Sequence, residues 1–341
     1  MMKLAKEKLA ELFEFISGKN DLYVPSKVGT GTNFALYEKG MDADLETLKT
    51  VKSPKDIFFP QSETLYTCTK EEGKMKITPE ELMEKDFVVF GMRGCDVLGM
   101  EVLDKVFLSE PVDTFYAARR SHGIIVTAAC SYPETSCFCS VFGVDAASPS
   151  GDAVYYIIGD ELHFEAKTEK GEAFLSMISS FLEKGDEAKV SEEQKRIKSI
   201  LEKLPYNNLS LEGWGSGTTD EKFNSPIWED LYKGCLACGT CTFSCPTCQC
   251  YDIKDYTKGD KILRYRCWDS CMYSDFTMMA HGNNRTSQMQ RFRQRFMHKL
   301  SYFPENNDGM YSCVGCGRCV DKCPSSLNIV KVIKAFGKDG K

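Results

Sequence analysis

The cysteines are the residues whose number and spacing most directly indicate chemistry in this sequence. Seventeen occur in 341 residues, and twelve of them lie between Cys235 and Cys323. The pattern C-x2-C-x2-C-x3-C-P occurs twice there, with the cysteines Cys235, Cys238, Cys241 and Cys245, then Cys313, Cys316, Cys319 and Cys323. This is the ligand spacing of bacterial two-cluster ferredoxins, so it predicts two 4Fe–4S clusters.

The same signature predicts how the ligands are shared. Three thiolates of one tight loop bind one cluster, and the fourth cysteine ligates the cluster of the other motif. We therefore predict two crossed sets: Cys235, Cys238, Cys241 and Cys323 for one cluster, and Cys313, Cys316, Cys319 and Cys245 for the other. Zinc ribbons, the alternative, use two C-x2-C knuckles separated by a spacer, and three cysteines in one run fit that arrangement poorly.

Four cysteines nearer the N-terminus could form a third site. Cys95 and Cys130 each follow a predicted strand, where α/β folds build their sites. Cys137 and Cys139, in "CFC", face one side of an extended segment. We expect these four thiols to hold a third iron–sulfur cluster, with 4Fe–4S favoured over 2Fe–2S. The alternative is that they are small buried apolar residues, which is our interpretation of Cys68.

The insert between the two motifs, 251–310, is too long to be a structureless loop, so we expect it to fold or to dock. From Lys261 to Lys299 it has eight Lys or Arg against two Asp. It could be a docking surface for an acidic partner, a positive field that raises cluster potentials, or a basic helix packed on the ferredoxin core.

The pattern assigns no role to four further cysteines. We place Cys248 and Cys250 around the second cluster. Whether they are linked to the other two, Cys267 and Cys271, stays open.

The elements that must position these cysteines indicate an α+β protein with two domains. Residues 1–204 have the pattern of a mixed α/β domain, 205–226 of a Gly-, Ser- and Pro-rich linker, and 227–341 of a mainly helical two-cluster ferredoxin domain. The predicted elements are strands at 86–92 and 123–129, a hairpin over 151–167 turning at Gly159–Asp160, helices at 1–17, about 97–108 and 172–184, and a helix that begins at a Ser191–Gln194 capping box.

Composition excludes several classes of protein. The net charge of −6 argues against general nucleic-acid or membrane-surface binding. The N-terminal "MMKLAKEKLAELFEF" mixes acidic and basic residues and lacks the apolar core of a signal peptide. Apolar runs such as "FVVF" are of strand length, far shorter than a bilayer requires. We therefore expect a soluble cytoplasmic protein, whose many reduced cysteines are more consistent with metal binding than with disulfides.

No catalytic constellation is evident in the sequence. It has no G-x-G-x-x-G after a strand, no Walker A loop and no H-E-x-x-H, and its four histidines do not accompany a nucleophile. We therefore expect electron transfer without catalysis in this chain, and no nucleotide site. The alternative is that the N-terminal domain is itself catalytic, with an open cluster site or a bound flavin or deazaflavin beside Cys95 and Cys130.

The two halves together resemble the iron–sulfur beta subunit of soluble sulfhydrogenases and the A subunit of anaerobic sulfite reductase. The resemblance covers nearly the whole chain. It is carried by "GMRGCDVLGMEVLDKVF", "AARR" and the "CFC" segment, and by "CLACGTCTFSCPTCQC", "RYRCWDSC" and "CVGCGRCVDKCP". It implies an electron-transfer subunit of a soluble anaerobic complex. Such a subunit connects an NAD(P)H-oxidising, FAD-binding flavoprotein to a catalytic subunit, which is a hydrogenase, a siroheme sulfite reductase or a heterodisulfide-reductase-like protein.

Overall fold

A computed structural model describes residues 1–71 and 73–337, so residue 72 and the last four residues of the predicted C-terminal domain, 338–341, lie outside the described residues. In chain order its strands are β1 Met2–Ala5, β2 Asp21–Val28, β3 Gly31–Leu36, β4 Ser62–Glu71, β5 Lys74–Pro79, β6 Phe87–Arg93, β7 Gly123–Ala128, β8 Ala153–Ile158, β9 Glu161–Ala166, β10 Glu183–Lys184, β11 Tyr251–Lys258, β12 Lys261–Trp268, β13 Met278–Met279 and β14 Gly282–Asn283.

The helices are distributed over both halves of the chain. They are α1 Leu9–Ser17, α2 Lys55–Phe58, α3 Gly94–Phe107, α4 Thr114–His122, α5 Glu169–Met177, α6 Glu187–Leu201, α7 Thr219–Phe223, α8 Trp228–Leu231, α9 Thr240–Phe243, α10 Gln288–Met297, α11 Phe303–Asn306, α12 Arg318–Lys322 and α13 Ile329–Phe336. A π-helical turn, His298–Tyr302, joins α10 to α11.

The larger sheet has the order β10-β1-β9-β8-β7-β6-β2-β3. Strands β2, β6, β7 and β8 are parallel neighbours, and the outer pairs are antiparallel. Every residue of β6 is buried, which explains its unbroken apolar run "FVVFGMR". Because Arg93 pairs with Ala128, strands β6 and β7 end together, and the residues that follow them share one edge of the sheet.

The smaller sheet joins the two halves of the chain. Its order is β11-β12-β4-β5, so the hairpin β11–β12 of the insert adds to strands from the N-terminal half. The buried guanidinium of Arg266 on β12 pairs with Glu63 on β4 at 2.5 Å and also with Asp113. Trp268 packs among N-terminal aromatic side chains, and its indole N–H donates to the carbonyl of Phe59 at 3.0 Å.

The α/β interpretation of the N-terminal half is confirmed, with local corrections. The hairpin turns at Gly159–Asp160 as predicted. The first residues form strand β1, paired with β9, so the helix predicted over 1–17 begins only at Leu9. The helix predicted over 172–184 instead spans α5 and ends at Met177. The Ser191–Gln194 capping box is wrong, because α6 begins five residues earlier, where the Asp186 carboxylate caps the Ala188 N–H at 2.9 Å.

A mainly helical C-terminal half is not confirmed. The segment "YDIKDYTKGDKILRYRCW" forms the hairpin β11–β12, whose strands have eight residues each. Aromatic and β-branched residues favour strands, and Gly259, at φ 60°, provides the turn. The segment 205–226 also has structure, with the short helix α7 and a buried Trp214 that packs with Trp228 and Phe336 in the C-terminal core.

Candidate iron–sulfur centres

The first of two cysteine-lined cavities has an empty volume of about 430 Å³. The loop that leads into α9 and the first turn of that helix supply three of its thiols, and the fourth belongs to the residue that follows α12. These cysteines are Cys235, Cys238, Cys241 and Cys323.

Backbone geometry explains how this loop wraps so tightly. Ala237 and Gly239 lie in the left-handed region, at φ 53° and 73°. A Cβ on Gly239 would lie 2.3 Å from the hydroxyl oxygen of Tyr273, so a side chain does not fit there. The same hydroxyl donates to the carbonyl of Cys238 at 3.2 Å, which fixes the loop over the cavity.

The second cavity has an empty volume of about 330 Å³ and is lined by Cys245, Cys313, Cys316 and Cys319. Its glycine loop packs on the N-terminal half of the chain. A Cβ on Gly315, at φ 59°, would lie 2.4 Å from the carbonyl oxygen of Phe138, whose N–H donates to the Gly315 carbonyl at 2.9 Å. Each cavity thus has three cysteines of one motif and one of the other, so the structure brings together the two crossed sets of the sequence analysis.

Two buried cations face these cavities. Arg295 lines both of them, and only 2% of the residue is exposed. Its Nη2 donates to the carbonyl of Cys241 at 3.3 Å, whereas its Nε and Nη1 have no hydrogen-bond partner among the described residues. Lys299 lines the second cavity, and its Nζ donates to Thr247 Oγ1 at 2.7 Å and to the Ser312 carbonyl at 3.0 Å.

The charges of these cations suit an anionic cluster. Burial disfavours the charged forms of Arg295 and Lys299, but the attraction of the surrounding cysteine thiolates outweighs it and raises the pKa of both. A buried donor without an acceptor costs about 1–3 kcal/mol. The sulfides of a 4Fe–4S cluster are acceptors, so the donor set of these cavities fits that group.

The N-terminal cysteines also come together, beside the second cavity. All four are less than one-tenth exposed: Cys95, Cys130, Cys137 and Cys139. Cys139 is close to Cys130, Cys137 and Cys316, and Cys95 is close to both Cys139 and Cys316. Burial raises the pKa of Cys130 to about 11 and also raises the pKa of the other three. These thiols would therefore be protonated at neutral pH, and a bound metal would have to displace the protons.

A buried ion pair links this N-terminal group to the second motif. Asp96 follows Cys95, and Arg318 lies between Cys316 and Cys319 in the sequence. The guanidinium donates to the two carboxylate oxygens of Asp96 at 2.6 and 2.9 Å. Both residues are almost fully buried, so this bidentate pair positions the two sets of thiols relative to each other.

Two further cysteines lie apart from these groups, and sequence reasoning missed two buried cations. Cys68 on β4 is opposite Ile262, and Cys267 on β12 is opposite Asp252, so both belong to the smaller sheet. The missed cations are Arg295, which the sequence shows only as part of a basic run, and Lys55, whose Nζ donates to the Cys248 carbonyl at 2.6 Å and which gives no signal in the sequence. Among the described residues, no group of three or more His, Cys, Asp or Glu could hold a single metal ion. The two ferredoxin-type sets of four cysteines instead line cavities.

Comparison with known proteins agrees with this geometry. Residues 234–327 match the 4Fe-4S dicluster domain family. Sulfhydrogenase 2 subunit beta of Pyrococcus furiosus is 30% identical over 342 residues, a match that covers 97% of each chain. No solved structure matches the chain, and among the described residues no helix is long and apolar enough to cross a membrane. Because the similarity extends over nearly all of both chains rather than the dicluster segment alone, this chain belongs to the sulfhydrogenase beta-subunit family.

Proposed function

We propose that this chain is an iron–sulfur electron-transfer subunit of a sulfhydrogenase-like complex. It relays electrons through two 4Fe–4S clusters, and through a third in the N-terminal half. The observation that carries the proposal is the pair of cavities, each lined by four cysteines in the crossed arrangement of a two-cluster ferredoxin. When bound, such clusters exchange single electrons; the protein positions them and sets their potentials.

The ligands of the relay are assigned as follows. One cluster is bound by Cys235, Cys238, Cys241 and Cys323, and the next by Cys313, Cys316, Cys319 and Cys245. The third is bound by Cys95, Cys130, Cys137 and Cys139. Support for this last set comes from their burial side by side and from the closeness of Cys95 and Cys139 to Cys316.

Contacts between the sites suggest the order of the relay. Arg295 lines both cavities, and the N-terminal thiols neighbour the second one. The second cluster is therefore the middle one. At the first cavity Cys238 is exposed, and the adjacent Leu236 is 68% exposed. We infer that one partner exchanges electrons at this end.

The partners proposed for the relay are a FAD- and NAD(P)-binding flavoprotein and a catalytic redox subunit. The catalytic subunit is a hydrogenase, a sulfite reductase or a heterodisulfide-reductase-like protein. The basic insert remains a proposed docking surface, but the structure narrows it. Arg266, Arg295 and Lys299 are buried and serve internal contacts, so docking to an acidic partner rests on the other cations of 261–299.

A second candidate function is supported by two adjoining cavities at the edge of the larger sheet. They have volumes of about 460 and 520 Å³ and share Lys6, Glu46 and Ile157 in their linings. Ser131, next to Cys130, lines one of them, and its hydroxyl is buried without a partner among the described residues. A flavin or deazaflavin bound there would make the N-terminal half catalytic.

Anaerobic iron and sulfide quantitation with EPR spectroscopy tests the relay. About twelve irons per chain and three distinct signals are expected, whereas about eight would remove the third cluster and about ten would make it 2Fe–2S. Zinc in place of iron would refute the relay. Flavin absorbance from the purified chain, or turnover without partners, would favour the catalytic alternative.

A further inference from the structure

Three thiols beside the second cavity lie outside every proposed ligand set: Cys248, Cys250 and Cys271. The hairpin β11–β12 brings the last two together, since one precedes its first strand and the other follows its second. Tyr251 pairs with Trp268, and beyond this pair the Asp269 N–H donates to the Cys250 carbonyl at 2.9 Å. The ladder thus continues to the point where the two thiols meet.

These thiols are in contact with one another and with a proposed cluster ligand. The Cys250 and Cys271 side chains interact by a hydrogen bond. Cys248 makes a corresponding thiol contact with Cys245 and also neighbours Cys271. A continuous line of thiols therefore runs from the pair to the second cavity.

Buried cations surround this line without carboxylate partners. The Nζ of Lys55, which is only 2% exposed, donates to the Cys248 carbonyl at 2.6 Å and lies 4.0 Å from the Trp268 ring centroid. Lys299 and Arg295 face the same thiols from α10 and the turn after it. Among the described residues, the polar partners of these cations are carbonyl and hydroxyl oxygens. The nearby anions they can stabilise are thiolates.

Positive surroundings are a feature of reactive rather than structural cysteines. The hydrogen bond with Cys271 lowers the pKa of Cys250 to about 7, although burial acts in the opposite direction. Cys250 is also partly exposed, which gives protons a route to solvent.

We infer that Cys250 and Cys271 form a redox-active pair that cycles between dithiol and disulfide and exchanges electrons with the cluster served by Cys245. The inference rests on the proposed function, which supplies that cluster. In oxidation, two S–H bonds break and one S–S bond forms. The two protons leave to water, and the two electrons pass one at a time to oxidised 4Fe–4S clusters. Reduced clusters return two electrons in the reverse direction, and two protons re-form the thiols.

Such a pair would store two electrons at the middle of a relay whose clusters each transfer one electron at a time. Cys267 is the matched control because it lies on the same hairpin, near its base. Its thiol neighbours Lys254, Asp252 and Asp269 rather than the pair.

The test uses the complete chain, purified anaerobically with its clusters. One sample is oxidised with ferricyanide and another is reduced with dithionite, and each is then alkylated under denaturing conditions and mapped by peptide mass spectrometry. The oxidised sample is expected to contain one linked peptide pair, joining Cys250 to Cys271 and lacking two hydrogens. The reduced sample should have both thiols alkylated. Cys250→Ser and Cys271→Ser should each abolish the linked pair, whereas Cys267→Ser should keep it.

Two results would overturn the inference. One is the absence of this disulfide from oxidised, fully loaded protein. The other is a loss of iron in Cys250→Ser or Cys271→Ser, because it would make these residues cluster ligands.

Coupling to the clusters is tested with reduced viologen under an inert atmosphere. Cys245→Ser should slow the reopening of the disulfide at least tenfold while a small dithiol still opens it, and an unchanged viologen rate would refute the coupling. Iron content, measured on the same samples, shows separately whether the relay itself fails.

Discussion

The C-terminal and N-terminal groups of cysteines differ in what their neighbouring cations do. In the C-terminal half, Arg295 and Lys299 are buried against the cysteine-lined cavities, and within the described part of the chain they hydrogen-bond only to neutral oxygens. Around the N-terminal group, Lys49 pairs with Glu134 at 2.8 Å and with Asp321, and Arg318 pairs with Asp96. Carboxylates thus neutralise Lys49 and Arg318 beside the N-terminal group, where the buried Arg93 near Cys130 donates to carbonyl oxygens. Among the described residues, no carboxylate pairs with Arg295 or Lys299 at the C-terminal cavities.

This difference predicts an order of reduction potentials. A cluster becomes more negative when it is reduced, so uncompensated positive charge stabilises its reduced form and raises its potential. We expect the two C-terminal clusters to be reduced first and the N-terminal cluster last. Four variants test this contrast, and the largest effects are expected from the two that remove a cluster ligand.

The largest effect is expected where a ligand crosses between motifs. Cys323→Ser should perturb or remove the cluster held by Cys235, Cys238 and Cys241, with a loss of up to about four irons per chain. EPR spectra and iron content measure it. Cys68→Ser, in the smaller sheet, is the control and should change neither. If Cys323→Ser alters only the cluster of the Cys313 motif, the crossed assignment is wrong.

Removal of an N-terminal thiol should separate the two regions. Cys137→Ser should abolish only the signal with the lowest potential and should leave both C-terminal signals in place, because its thiol lies outside their cavities. A redox titration followed by EPR shows which signal disappears. Loss of either C-terminal signal instead, with the chain still folded by circular dichroism, would mean that the regions are not independent sites.

Local features of the chain could be predicted from the sequence, whereas long-range contacts could not. The ligands at Cys235–Cys241 and Cys313–Cys319 are predictable because tight loops keep them together whatever the rest of the chain does. Strands β6 and β7 are equally predictable, because their apolar runs are local features of the sequence. The roles of Lys55 and Arg318 are not, because each depends on contacts with residues roughly 200 positions or more away in the chain. The place of the β11–β12 hairpin in the smaller sheet is not predictable either, because its partner strand β4 is remote in sequence.

Arg295 should tune both C-terminal clusters. Arg295→Met removes a charge that lines both cavities, so both potentials should fall, by on the order of 60 mV, the shift that corresponds to a tenfold change for a one-electron couple. Arg295→Lys should recover part of this shift. Arg293→Met is the control because Arg293 stacks on Phe223 at 3.5 Å, outside both cavities, and should change neither potential. A fall in only one potential would contradict the shared position of Arg295.

The smallest effect is expected from releasing a neutralised cation in the N-terminal region. Glu134→Gln removes one of the two carboxylates that pair with Lys49, which is only 7% exposed and lies close to Cys137. The backbone carbonyl of residue 134, which accepts from the Cys137 N–H at 2.9 Å, is unchanged by this substitution. The freed charge should raise the potential of the N-terminal cluster, by less than Arg295→Met lowers the other two, because Asp321 still pairs with Lys49 and Glu134 is about half exposed and screened by solvent. Glu71→Gln, an exposed partner of Lys76 in the smaller sheet, is the matched control. An unchanged N-terminal potential in Glu134→Gln, measured by EPR titration at low salt, would show that the carboxylates are not what separates the two regions.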